Sequence, residues 1–234
     1  MPAAKRPTVR PGLNRFVWDL KYPGPETLDI SLAPPRNKPL AERADPPAGP
    51  TVVPGRYRVE MSLGSETMAA EFSVVKDPRL FTTPEGYRHQ FELVRELTAS
   101  LGKVSATVNH IRRVKHRLSA LAGGLEDDEH DLVGKAKAVA EKLTALESVL
   151  VDVHRESDRD VLRNPAGLND TLLALISTVS LSDTAPTNQA AALSREIMAR
   201  ADAEIGKFER LAATEVAAVN RLALEQEVAA ATTG

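Results

Sequence analysis

Residues 82–124 read TTPEGYRHQFELVRELTASLGKVSATVNHIRRVKHRLSALAGG. In this stretch Leu93, Leu97, Leu101, Val104, Val108, Ile111, Leu118 and Leu121 recur at spacings of three, four or seven, which places them along one face of an α-helix. The ends carry matching signals. Thr82 or Thr83 can cap, Pro84 suits the first turn, and Glu85 can complete a capping box with Thr82. Gly123-Gly124 ends the run. At about 1.5 Å per residue such a helix is roughly 55–60 Å long.

Downstream the same period continues. Acidic Glu126 to Glu129 suit the positive end of a second helix, with the stripe Ala136, Val139, Leu143, Leu146, Leu150 and Val153. A loop around Asp158 to Pro165 leads into a shorter helix over Leu168 to Val179. Asp183 or Thr184 then caps a last helix whose stripe is Ile197, Ala201, Ile205, Phe208, Leu211, Val219 and Leu222. One-sided helices on short connections bury their stripes against each other, so residues 82–230 are expected to form a long antiparallel four-helix bundle. No internal repeat is present.

Upstream the composition changes near Asp77-Pro78. Nine of the 16 prolines lie between Pro23 and Pro54, and six of the nine aromatics precede Thr82, which marks strand and loop rather than helix. Phe16, Trp18 and Leu20 alternate with Arg15, Val17 and Asp19, as on a strand with one apolar face. After Pro54-Gly55, Tyr57, Val59, Met61 and Leu63 alternate with Arg56, Arg58, Glu60 and Ser62, and Gly64-Ser65 turns the chain into Met68 to Val75. The proline-rich stretch 23–54 reads as an irregular connection, and residues 1–12 as a disordered N-terminus. The fold class is α+β. Three strands over residues 13–77 fall short of a sandwich, which has about seven, so this sheet needs a cover. Phe81, Tyr87 and Phe91 offer apolar area to fasten it to the helices, with the joint at Asp77 to Thr83.

Composition excludes several function classes. With 42% hydrophobic and 26% charged residues the chain has material for a core, and its net charge of −2 gives no general attraction to nucleic acid or anionic membrane. The absence of cysteine rules out disulfides, thiolate zinc sites and cysteine nucleophiles. No apolar run follows Lys5, Arg6 and Arg10 to make a signal peptide, and Leu172 to Val179 is far shorter than the ~20 residues that span a bilayer. A soluble chain is expected.

The chemistry-bearing clusters have plain structural accounts. Glu126-Asp127-Asp128-Glu129-His130-Asp131 lacks the spaced oxygen ligands and central glycine of a calcium loop, and acids in a first helical turn answer to the helix dipole. His154, Ser157 and Asp160 bring together three triad residue types without a nucleophile elbow or oxyanion hole. His110 and His116 are six apart, where helical metal ligands sit three or four apart, and His89 is distant. Arg112, Arg113, Lys115, His116 and Arg117 form a basic cluster without interleaved aromatics, which reads as a solvated helix face neutralised by Glu126 to Glu129. No catalytic, cofactor or metal residue is therefore assigned. Phe16, Trp18, Tyr57 and Phe72 remain as the candidate interface, because a sheet without its second layer leaves them open to a partner.

Gly12-Leu13-Asn14-Arg15-Phe16-Val17-Trp18-Asp19-Leu20-Lys21-Tyr22-Pro23-Gly24 resembles a segment in the C-terminal region of bacterial sortilin-like, BNR-repeat β-propeller proteins of the glycosyl hydrolase or exo-sialidase-like kind. Further matches are Gly49-Pro50, Pro54-Gly55-Arg56-Tyr57-Arg58-Val59, Phe72-Ser73-Val74, Asp77-Pro78-Arg79 and Asn109 through Arg112. The resemblance implies a partial immunoglobulin-like module and a helical tail, in proteins that are exported. It implies a β-propeller, or another β domain, docked on the N-terminal sheet. The propeller and its Ser-x-Asp-x-Gly-x-Thr-Trp boxes are not in this chain, so no catalytic residue carries over, and the chain reads as a tail fragment or the second product of a split gene. Three functions stay open: a noncatalytic accessory module, part of a carbohydrate-active enzyme that shapes its cleft, or a free-standing helical scaffold. Self-association through the sheet is the other partner expectation; nucleic acid and membrane are not expected.

Overall fold

A computed structural model describes residues 10–33, 47–123, 131–152 and 166–225. The fold is α+β: a two-stranded antiparallel sheet and a set of helices around one apolar core. Helix α1 spans Pro84–Gly123 and buries Leu97, Val104, Val108, Ile111 and Val114 completely. Its cap is Thr83, whose hydroxyl accepts from the Gly86 N–H at 3.1 Å. Thr82 is no part of a capping box. Its hydroxyl donates instead to the Asp183 carbonyl, at 2.5 Å, and ties the start of α1 to a turn 101 residues away.

Three further helices lie against α1: α2, Asp131–Leu150; α3, Leu168–Val179; and α4, Asn188–Leu211. Arg112 pairs with Glu147, Ser105 with Asn169, and Gln90 with the Val179 and Ser182 carbonyls. Partner numbers on α2 and α3 thus climb as those on α1 fall. α3 runs antiparallel to α1 beside its N-terminal half. α2 lies in line with it beside the C-terminal half and is antiparallel too: Glu147 meets Arg112, whereas Lys142 meets Glu215, which follows the Phe208 that packs on His110. Lys103 meets Asp202 and His110 meets Phe208, numbers that rise together, so α4 runs parallel to α1.

The last helix begins later than Asp183 or Thr184. Pro186 disfavours helical backbone at Ala185, so the cap passes to Thr187, whose hydroxyl accepts from the Ala190 N–H at 3.1 Å. A π-helical turn, Ala212–Val216, leads without a break into α5, Ala217–Glu225. The extra residue of that turn rephases the buried stripe, which steps from Ala201 and Phe208 to Val216, Val219 and Ala223. Ile205, Leu211 and Leu222 are only partly buried.

The sheet is a hairpin, β1 (Gly55–Leu63) and β2 (Glu66–Val74), with Tyr57 opposite Phe72, Val59 opposite Ala70 and Met61 opposite Met68. Gly64 has φ +60°, the left-handed backbone that the first central position of a type II′ hairpin turn requires.

Phe16 to Leu20 do not form the third strand. Leu20 sits at φ +61° and the Asp19 carboxylate accepts from the Lys21 N–H, so the chain bends where a strand must stay extended. Among the described residues one isolated bridge, Lys21 with Thr51, follows this segment, flanked by the Val52 N–H to the Leu20 carbonyl and the Tyr22 N–H to the Pro50 carbonyl. From there the chain is a strap along α1. Tyr22 rests on Phe91 at 5.2 Å, and the Asn109 side chain accepts from the Asp29 N–H at 2.7 Å and donates to the Thr27 carbonyl at 2.9 Å. Gly24 and Gly49 let the strap cross residues 47–50, since a Cβ on either would collide with the backbone of the other segment.

Candidate interaction surface

Among the described residues the hairpin pairs with no other strand. Residues 55–74 are exposed throughout except Tyr57 and Val74, so the alternation that makes one face apolar leaves that face in water. Val59, Met61 and Leu63 are 53%, 52% and 59% exposed, and Met68 is 56% exposed. The opposite face carries Arg56, Arg58, Glu60, Glu71 and Ser73, with Arg58 Nη2 2.9 Å from Glu60 Oε1.

At the base of the hairpin three of the four expected interface aromatics meet. Trp18 stands edge-on to Tyr57, centroids 5.9 Å apart, and to Phe72 at 6.1 Å, while Tyr57 and Phe72 stack at 5.9 Å as a cross-strand pair. Such ring pairs contribute ~0.5–1.5 kcal/mol each beyond the area they bury. Trp18 Nε1 donates to the Lys21 carbonyl at 3.2 Å, and the Tyr57 hydroxyl donates to the Val53 carbonyl at 2.6 Å. Burial pushes the Tyr57 phenol above its ordinary pKa. Phe16, the fourth, is 51% exposed and outside this cluster.

Where the hairpin meets the helices, Leu20, Val52, Val74, Tyr87, Phe91 and Val94 are among the residues that line a cavity of about 180 Å³. Pockets that bury a drug-sized ligand run to ~300–1,000 Å³, so this one admits only a small group. The Tyr87 hydroxyl is buried without a hydrogen-bond partner. Of the three aromatics expected to fasten the joint, Tyr87 is buried and Phe91 half-buried, but Phe81 is 98% exposed and fastens nothing.

The basic cluster is not a uniformly solvated face. Arg112 is buried and its Nε lies 2.7 Å from the buried Glu147 carboxylate, which Lys115 also meets at 2.9 Å. Arg113 and His116 are exposed; the Asp29 carboxyl is held low chiefly by the Ser31 hydroxyl, with Arg113 adding the least. The sequence held a signal for these pairings. Glu147 falls four residues after Leu143 and three before Leu150, and Asn109 eight after Leu101, so each is a polar residue on an apolar stripe.

His110 packs edge-on to Phe208 at 5.0 Å, while His89 and His116 are exposed and do not join it. The acidic run from Glu126 to His130 and the group His154, Ser157 and Asp160 lie outside the described residues, as do Glu126 to Glu129 as neutralising partners. Among the described residues no three His, Asp or Glu side chains are grouped to hold a metal, and no helix is long and apolar enough to cross a membrane. No family model, curated protein or solved structure matches the chain.

Proposed function

We propose that this chain is a noncatalytic accessory module that binds another protein through its sheet, with the helices as the arm that holds the sheet out. The observation that carries the reading is the apolar hairpin face, each of whose large residues is a third or more exposed or only half-buried, beside a body whose apolar stripes are closed. In this reading the hairpin and the Trp18 segment are the part of an immunoglobulin-like module that this chain contributes. The four helices form an antiparallel bundle in which α2 and α3 share one leg. The partner is a β-propeller of the sortilin-like, BNR-repeat kind or another β domain, whose sheet supplies the missing second layer. Export follows if the chain shares that family's location.

The sole tryptophan provides the test, since Trp18 borders the exposed face at 37% exposure. Titration with a propeller domain of that kind should shift Trp18 emission to the blue and protect it from quencher. A Trp18 signal that does not change, together with no co-migration on a sizing column, would sink the propeller partner. The interaction reading itself fails if Met61→Ser and Val59→Ser also leave every association of the chain unaltered.

A further inference from the structure

We infer that two copies of this chain pair antiparallel through β1, centred on Val59, to make a four-stranded sheet. The inference rests on the interaction reading above and names one occupant for one edge of the hairpin. A two-residue hairpin loop is closed by a pair that exchanges both backbone hydrogen bonds. Leu63, Met61, Val59, Tyr57 and Gly55 therefore turn their N–H and C=O groups toward β2. Arg56, Arg58, Glu60 and Ser62 turn theirs outward, to an edge that no other described strand covers. Such an edge is a template for another strand.

The charges on β1 choose among registers. With Val59 on the two-fold axis, Arg58 of each copy lies opposite Glu60 of the other, Arg56 lies opposite Ser62, and Tyr57 lies opposite Met61 on the apolar face. Opposite charges directly across a pair of strands attract, and like charges there repel. Centring on Arg58 sets that residue against itself, centring on Glu60 does the same to the glutamate, and centring on Tyr57 sets Arg56 against Arg58. A centre at Met61 leaves Arg58 opposite Gly64 and Glu60 opposite Ser62. Val59 is thus the one centre within the middle of the strand that matches both charges and opposes none. The β2 edge has no equivalent, because pairing about Ala70 sets Glu71 against Ala69. The isologous pairing also joins the two apolar faces into one continuous surface. Edge pairing over nine residues buries less than the ~1,200–2,000 Å² of a stable complex, so the dimer should be weak and concentration-dependent.

Light scattering and sedimentation on the full chain test this, with charge reversals as the probe. Arg58→Glu alone and Glu60→Arg alone should each abolish the dimer, by at least tenfold in dissociation constant. The double variant Arg58→Glu/Glu60→Arg should restore it, since the pairs re-form with their signs exchanged. Both side chains are exposed, so circular dichroism should report an unchanged fold in all three. The Val59 pair is of the non-hydrogen-bonded kind, with Cα atoms ~4.5 Å apart, within the range a disulfide spans. As the chain has no cysteine, Val59→Cys should give a disulfide-linked dimer on mild oxidation, and Thr67→Cys on β2 should not. A monomer at every concentration overturns the inference. So does a dimer indifferent to the charge reversals but lost in Met61→Ser, which would mean that the faces stack; that result leaves the interaction reading standing. Capture of a propeller strand at the β1 edge with no self-pairing also overturns it.

Discussion

Leu97, Val104 and Ile111 on α1 are completely buried, whereas Val59, Met61 and Leu63 on β1 are each more than half exposed. Both segments repeat apolar residues with the period of their own backbone, so the pattern does not account for the contrast. Cover does. The helices are close in sequence, α2 and α3 in line cover α1 between them, and each brings a stripe that closes its neighbour's. The hairpin is a single layer of two strands, which is marginal by itself, and among the described residues Trp18 is the aromatic that lies on its apolar side. An amphipathic pattern states which face needs burial; another segment must supply the burial.

The largest break in this contrast should come from Glu147. It is 2% exposed and held by Arg112, itself buried, so Glu147→Ala leaves a buried guanidinium without its counter-charge. Removing one partner of a buried pair costs ~3–5 kcal/mol. The exposed Arg58–Glu60 pair on the hairpin, at 62% and 58% side-chain exposure, is of the surface kind worth ~0–1 kcal/mol, and Glu60→Ala should barely move the monomer's urea midpoint. Urea unfolding followed by circular dichroism compares the two at low protein concentration. Equal losses would mean that Glu147 is better solvated than its burial states.

Next in size is the apolar counterpart. Leu143→Ala removes a side chain that is completely buried between helices and should cost ~2–5 kcal/mol, while Met61→Ala on the open face should stay within ~0.5 kcal/mol in the monomer. The same Met61 variant should matter once a partner covers the face. If Met61→Ala destabilised the isolated monomer by as much as Leu143→Ala, the hairpin face would already be covered.

The helices are legible in the sequence because a helical period repeats along each stripe; over Leu168 to Val179 it matches α3 from end to end and Gly123 closes α1, while the last stripe runs on through α4, the π-helical turn and α5. The sequence misled at Phe16 to Leu20, because strict alternation over five residues is also met by extended coil, and what bends the chain is the local Asp19 bond and the Leu20 backbone. Three of the four interface aromatics meet as a cluster, since Tyr57 and Phe72 are cross-strand partners and Trp18 lies edge-on to both; Phe16, in the same irregular segment as Trp18, stays outside it. The strap was invisible. Its anchor is a pair 80 residues apart in the chain, Asp29 with Asn109, and only the polar residue on the apolar stripe of α1 hinted that something lay across it.

The smallest expected effect concerns that strap, and it asks whether the body keeps its cover in acid. Asp29 caps the 3₁₀ turn Ile30–Leu32: its carboxylate accepts from the Ser31 hydroxyl at 2.6 Å and from the Ser31 N–H at 2.9 Å. These bonds, the hydroxyl's foremost, hold its pKa below the ordinary 3.8, with a smaller contribution from Arg113. A carboxylate depressed in the folded state lends stability that is fully present above 3.8 and is lost as pH falls through the lower folded value. Near neutral pH the strap should therefore be insensitive to acid, and it should loosen only below about pH 4. Because Asp29 is exposed, the loss should be local, seen as faster amide exchange at Ser31 and Leu32 while the core of α1 stays protected. Asp29→Asn keeps an oxygen acceptor but removes the titration, so exchange at those amides should become independent of pH below 4 once the intrinsic acid dependence is subtracted. Were the variant to loosen in acid exactly as the parent does, another group would be responsible, and the cap would contribute nothing to holding the strap on α1.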